Sequence, residues 1–355
     1  MNKKVFLVLC GFFFITAWLN AGNAQAVAET ESGKSFTLVD EQNRPVTQIS
    51  GEVEIGDEFI SADNYRYQVV SMQAGVARCV NTGRESMPQL NFDGVNRAGV
   101  LAGDNTAAAT KSEPWNNKKK TVAIYHTHSD ESYVPGDGRE SINGNGGIYD
   151  VGRVLADELN SLGVNVLYGD SNHNPHDANA YNRSRKTAAA LLRKAPDAIL
   201  DVHRDALAPE QYAAEINGKE VTKIKLVVGK QNPNKNINLD FAKRIKAAMD
   251  KQTPGLSNGI FIGKGIFNQD LSPHSALIEV GSHTNSKDEA EEGVKMFAGA
   301  LSLALGISGT NGFDENAQAF NSQSKETLKT ILILCFLTII VVGAYILINI
   351  RAAQK

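Results

Sequence analysis

The chain has little cysteine. Of its three, Cys10 lies in an N-terminal apolar run and Cys335 in a C-terminal one, so Cys79 stands alone between them. A single thiol closes no internal bridge, and stability there has to come from an ordinary core or a bound metal. An excess of either charge is also missing. Thirty-six basic residues nearly balance 39 acidic ones, for a formal net charge of -3, which gives no footing for a nucleic-acid partner. Ser129 follows histidines without a plausible triad order, which argues against a serine hydrolase. The glycine run at Gly144 to Gly147 lacks the lysine of a phosphate-binding loop.

The two apolar runs are the first positive features. Residues Met1 to Ala26 place Lys3 and Lys4 before VFLVLCGFFFITAWL and close on Ala24-Gln25-Ala26, the order of a cleavable signal peptide. Cys10 follows Leu9 and comes too early in the run for a lipobox. The second run, Ile331 to Ile350, has almost no polar face. About 20 residues at 1.5 Å each span a ~30 Å hydrocarbon core, so a transmembrane helix is expected over 329–350, with Arg351 and Lys355 in a cytoplasmic tail, 351–355. This predicts an extracytoplasmic domain tethered to the cell membrane at its C-terminal side by a polar stalk, 309–328.

A chain of 355 residues accommodates two modest domains. FTLVD, EVEIGDEFIS and YRYQVVSM alternate apolar and polar positions between the turn signals Asn43-Arg44-Pro45, Gly56-Asp57 and Asp63-Asn64. They predict a small antiparallel β domain, 27–93, of four to six short strands, with no cluster of potential ligands. An unpatterned linker, 94–119, follows. From residue 120 to 308 the pattern is α/β. TVAIYH, VNVLY, AILDVH, KIKLVVG and ALIEVG read as short buried strands with helices between them. Val151, Val154, Leu155, Leu159 and Leu162 keep helical spacing up to Gly163, and Ser286 to Glu289 reads as a capping box opening a last helix that runs to Gly306. The expected architecture is a largely parallel sheet with helices on both faces.

In such sheets ligands bind beyond the carboxyl ends of the strands, and three strands carry their polar groups there. The first ends in His126-Thr127-His128 and continues to Glu131, giving a His-x-x-Glu pair able to aim an imidazole and a carboxylate at one zinc ion. His126 is an alternative ligand to His128, or a partner behind it, being two residues away and on the same side of an extended strand. The second strand ends in Asp201-Val202-His203-Arg204-Asp205, where His203 is a third ligand candidate and Asp201 a carboxylate to orient it. The third holds Glu279 inside an apolar strand, costly unless paired or working. As a general base it would accept a proton and pass it to a leaving amine; its alternative is a salt bridge to Arg204 or Arg183. His173, His176 and Asp177 occupy a polar loop, where histidines are usually just solvated, with a position bordering the cleft as the alternative, and His274 and His283 flank Glu279 as candidate oxyanion stabilisers.

HTHSDESY, then DVHRD, then LIEVGSHTN resemble the stage II sporulation protein P family over Ser35 to about Leu305, and GDEFISADNYRYQV resembles that family's N-terminal region. The resemblance implies a zinc-dependent (Zn2+) hydrolase related to N-acetylmuramoyl-L-alanine amidases. Such an enzyme strips stem peptides from peptidoglycan and also acts as an endopeptidase on cross-links. It further implies action during engulfment, in the space between the mother cell and forespore membranes. The implied partners are a lytic transglycosylase and a polytopic membrane protein, the sporulation proteins D and M. By motif, His128, Glu131 and His203 match the zinc positions and Glu279 the catalytic glutamate. One departure is the C-terminal span, since family members are generally held by an N-terminal one. Two rival readings are a zinc carboxypeptidase, with Arg183, Arg185 or Arg204 clamping a substrate carboxylate, and a non-catalytic wall-binding scaffold.

Overall fold

Short β-prone runs separated by turn residues build the first part of the molecule. The computed structural model describes residues 34–90, 119–177 and 179–307. The expected signal peptide, stalk, transmembrane helix and tail, and nearly all of the linker, lie outside the described residues, among which no helix is long and apolar enough to cross a membrane. Strands β1 (Ser35–Val39), β2 (Pro45–Ser50), β3 (Glu58–Ile60), β4 (Tyr65–Gln73) and β5 (Val76–Arg84) form the β unit. Asn43, Gly56 and Asn64 take positive φ at its turns, a conformation open to glycine and tolerated by asparagine.

The second part alternates strands with helices. In chain order it comprises β6 (Thr121–Tyr125), α1 (Val134–Asp137), α2 (Ile148–Ser161), β7 (Asn165–Tyr168), α3 (Ala180–Leu192) and β8 (Ala198–Asp205). A hairpin of β9 (Ala213–Ile216) and β10 (Lys219–Thr222) follows, then β11 (Ile224–Gly229), α4 (Lys235–Gln252), β12 (Ser257–Gly263), β13 (Ser275–Ser282) and α5 (Lys287–Ala304). Gly163, at φ +82°, ends α2 where expected. Ser286 is the N-cap of α5, but its side chain makes no capping hydrogen bond, so the expected box is not formed.

The two parts share one sheet of eleven strands, in the order β2-β1-β5-β4-β3-β12-β11-β13-β8-β6-β7. The seam is the antiparallel pair β3–β12, with Phe59 opposite Phe261 and Ile60 opposite Ile260. Strands β13, β8, β6 and β7 are mutually parallel. Strands β11 and β12 run parallel to each other and antiparallel to β13, the one reversal within the α/β part of the sheet. Fold and expectation agree on a mixed α/β architecture with a mostly parallel α/β sheet.

Side-chain alternation gives the two faces of this sheet different characters. Val122, Ile124, Leu200, Val202, Ile224, Leu226, Ile278 and Val280 enter one large core with α2, α4 and α5. Ala123, Tyr125 and Ile199 face the other way, towards Ala188 and Leu191 of α3. Val227, Phe261 and Leu277 face Leu38, Ile49, Phe59 and Val69 of the β unit. Asp201, His203, Lys225 and Glu279 fall in register on that second face, next to the β unit and α3.

Candidate metal centre

Strand β6 ends at Tyr125, and alternation holds for one residue more, through His126, before the chain turns. His126 therefore does not share a side with His128, contrary to expectation. It follows Val122 and Ile124 onto the opposite face, where its ring packs against Tyr149 of α2. Its Nδ1 lies 2.9 Å from the Val202 carbonyl and its Nε2 lies 2.8 Å from the Tyr168 hydroxyl. Both ring nitrogens are thus occupied, and burial pulls the imidazole down to about 4, so it is neutral at pH 7. A Cβ on Gly152 would come within 2.5 Å of this ring, so only glycine lets α2 approach so closely.

Beyond His126 the chain turns back on itself. Thr127 is pinned by Asp201, to which it donates from its backbone N–H at 2.8 Å and its hydroxyl at 2.5 Å. The next turn carries His128 and Glu131. Glu131 is held from three sides: His128 Nδ1 lies 3.2 Å from its Oε1, His203 Nδ1 lies 3.3 Å from the same atom, and the Arg204 backbone N–H donates to Oε2 at 2.9 Å. All three side chains, His128, Glu131 and His203, are buried. The glycine run supports the turn: Gly146 lies against the Asp130–Glu131 backbone, where a Cβ would meet the Glu131 carbonyl at 2.3 Å.

His203 completes the convergence. Its Nε2 faces Asp201 Oδ1 at 3.0 Å, a close approach that lacks the alignment of a hydrogen bond. Burial works against the imidazolium, but Asp201 and Glu131 outweigh it and lift the ring well above its ordinary value. Burial likewise opposes ionisation of Glu131, and His203 and His128 still hold its carboxyl well below the usual range. Two buried carboxylates around two imidazoles form a pocket of negative field that calls for a positive charge. A proton supplies one; a divalent cation would supply more, with ligand types that suit zinc.

Sequence reasoning left His176 in a solvated loop. The structure brings it to the cluster, with ligand atoms of His128, Glu131 and His176 all within 4.8 Å of one another. Its ring centroid is 3.9 Å from that of His128, and its Nδ1 lies 3.2 Å from Asp130 Oδ1. The usable signal was its position: the loop leaves the carboxyl end of β7, on the same edge as His128. Its neighbour His173 is buried, with Nδ1 2.7 Å from the His126 carbonyl and Nε2 2.8 Å from the Thr187 hydroxyl.

Glu279 sits opposite His203 in the β13–β8 register and opposite Lys225 on β11. His274 does not flank the site. It contacts the Asp197 carbonyl at the amino end of β13, and five residues at about 3.3 Å each carry it roughly 16 Å from Glu279 along the strand. His283 is at the correct end, half-buried, with its Nε2 3.9 Å from Glu140. The candidate arginines are used elsewhere. Arg183 bonds the His173 carbonyl and Asp177, Arg185 pairs with Asp270, and Arg204 reaches the Ser132 and Glu140 carbonyls. Neither the alternative Glu279–arginine bridge nor a carboxypeptidase clamp gains support from them.

Among solved structures, the chain is similar to the CwlD amidase from Clostridioides difficile in complex with the GerS lipoprotein (14% identity, TM-score 0.37, covering 53% of this chain and 100% of that one). It is also similar to the catalytic domain of CwlV, an N-acetylmuramoyl-L-alanine amidase from Bacillus (Paenibacillus) polymyxa var. colistinus (15%, 0.32, 53% and 99%). Scores this low decide nothing about fold or chemistry. A curated relative, stage II sporulation protein P of Bacillus subtilis (strain 168), is 30% identical over 203 residues, 52% of this chain and 51% of that protein. The chain thus matches about half the length of that relative. The family model for stage II sporulation protein P matches residues 38–302, well over half of the chain. The chain belongs to the stage II sporulation protein P family.

Proposed function

We propose that the protein is a zinc-dependent peptidoglycan hydrolase of sporulation that cleaves the amide between N-acetylmuramic acid and L-alanine. Family membership and one observation carry the reading: His128, Glu131 and His203 converge at the carboxyl ends of adjacent parallel strands, with Glu279 next in register. His128 and Glu131 would hold the ion. Two imidazoles compete for the third position, and His203 is favoured because it is buried and backed by Asp201, whereas His176 is exposed on a loop. When bound, zinc supplies a Lewis acid that polarises the amide carbonyl and acidifies water. Glu279 takes the proton from the attacking water and returns it to the departing amine nitrogen. Asp201 fixes the His203 ring, and the Arg204 N–H fixes Glu131, so both are in place before substrate arrives.

In this reading the run Ile331 to Ile350 tethers the enzyme to the cell membrane, on the side facing the wall, and proteins of the sporulation D and M types deliver it to its substrate. The test is zinc content and sacculus cleavage by the purified protein beside Glu279→Gln. Bound zinc in both, with soluble stem peptides released only by the first, is the expected result. Equal release by both would remove Glu279 from the chemistry, and absence of zinc from both would remove the metal.

A further inference from the structure

A shallow, open cleft lies beside Glu279, between the end of β2 and the face of β11, β12 and β13. Its floor is apolar, with Phe261, Phe267 and Leu277 facing Ile49 of the β unit, and Glu52 stands exposed at the mouth. The β unit is fastened at this place. The Ser50 hydroxyl donates to Asp205, and Lys225 donates to Asp205 at 2.9 Å and to the Gln48 carbonyl at 3.1 Å. These buried polar bonds fix one wall of the cleft against the other.

Strand order gives the cleft a direction. Across the sheet the sequence is β11, β13, β8, β6, so Glu279 on β13 stands between the cleft and the His128–Glu131–His203 cluster. A carboxylate that returns a proton to a leaving nitrogen must touch that nitrogen. With the carbonyl carbon at the cluster, the chain that continues from the nitrogen runs past Glu279 into the cleft. In a muramoyl–alanine amide that chain is the peptide, and the sugar lies on the acyl side. We propose that this cleft is the binding subsite for the stem peptide, and that the β unit, through Ile49 and the Gly51–Glu52 turn, builds its outer wall. The proposal rests on the hydrolase reading for its orientation. An apolar floor with a polar rim fits an extended peptide of small apolar and charged residues better than it fits a glycan.

The test is calorimetric binding to the full zinc-loaded chain carrying Glu279→Gln. The probes are N-acetylmuramoyl-L-alanine and N-acetylmuramoyl pentapeptide, which share the acyl side and differ only in peptide length. The expected result is a preference of about tenfold or more for the pentapeptide. Adding Phe267→Ala, which removes part of the floor, is expected to cut the preference to about threefold or less while affinity for the short probe holds. Glu52→Trp tests the same wall at an exposed position where folding is not at stake, by narrowing the mouth. Equal binding of both probes by the parent, no binding of either, or an unchanged preference in both variants would overturn the proposal. Failure of the hydrolase reading looks different: the preference is intact, yet the zinc-loaded chain with Glu279 in place cleaves neither probe.

Discussion

Asp201 shows how much one buried residue can be asked to do. It accepts two hydrogen bonds from Thr127, which fixes the turn leading to His128, and it faces His203 Nε2 at 3.0 Å. Burial opposes its ionisation, but His203 and Thr127 hold its carboxyl below the ordinary value, so the charge persists. Replacing it by asparagine keeps the shape and removes the charge. Asp201→Asn is expected to weaken zinc binding by about 10- to 100-fold, read by competition with a chromogenic chelator; an unchanged affinity would reduce Asp201 to a turn residue. The same assay separates the two competing imidazoles. His203→Ala is expected to abolish stoichiometric zinc, whereas His176→Ala retains it with weaker binding, and the reverse order would make His176 the ligand. His203 was legible in the sequence because a histidine ending an apolar strand is conspicuous. His176 was not, because nothing local in SNHNPHDAN records that its loop folds over His128.

At the scale of elements, the sequence exposed what repeats locally and hid what depends on distant pairing. The strand leading to His128, the strands carrying His203 and Glu279, the helix ending at Gly163 and the turns of the β unit all have local signatures, and all are found. Strand β12 is interrupted by Gly259 at φ +90° and shows no clean period. The β3–β12 seam joins segments some 200 residues apart in the chain, beyond any local pattern. The shared side given to His126 and His128 failed for another reason: alternation does not reach His128, which lies in the turn beyond the strand. That misplacement has a consequence that can be measured. Because His126 lies under α2, Gly152 cannot carry a side chain without pushing the helix away from the sheet. Gly152→Ala is expected to lose about 1–3 kcal/mol to overpacking despite alanine's better helix propensity, measured as a lowered urea midpoint. A stabilised variant would mean that helix and ring separate freely.

The whole molecule depends on how firmly the β unit is joined to the α/β part, since the proposed subsite has a wall in each. Besides the β3–β12 seam and the Ser50 and Lys225 bonds at the cleft, the ties include Lys246, which donates to the Ala62 carbonyl at 2.8 Å, and Asp57, which accepts from Lys230. Asp57 is fully buried. Burial pushes its carboxyl above the ordinary value, although Lys230 and the Glu54 N–H pull the other way. The sign of the pH effect follows. A carboxyl whose folded pKa is raised binds its proton more tightly in the folded state. Its favourable contribution is complete below the unfolded value, about 3.9, and is lost as pH rises through the folded value. Between about pH 3 and pH 7 the wild type should therefore lose stability relative to Asp57→Asn, by about 1.4 kcal/mol for each unit separating the two pKa values. Denaturant unfolding of both proteins across that range measures the difference directly. If the gap instead moves in favour of the wild type as pH rises, the Lys230 pair outweighs burial, and the tie is strongest with the carboxylate charged. Either slope bears on the cleft, because loosening this joint moves Ile49 and Glu52 away from Phe261 and Phe267. A protein that unfolds in one transition throughout would confirm that the two walls are parts of one cooperative body.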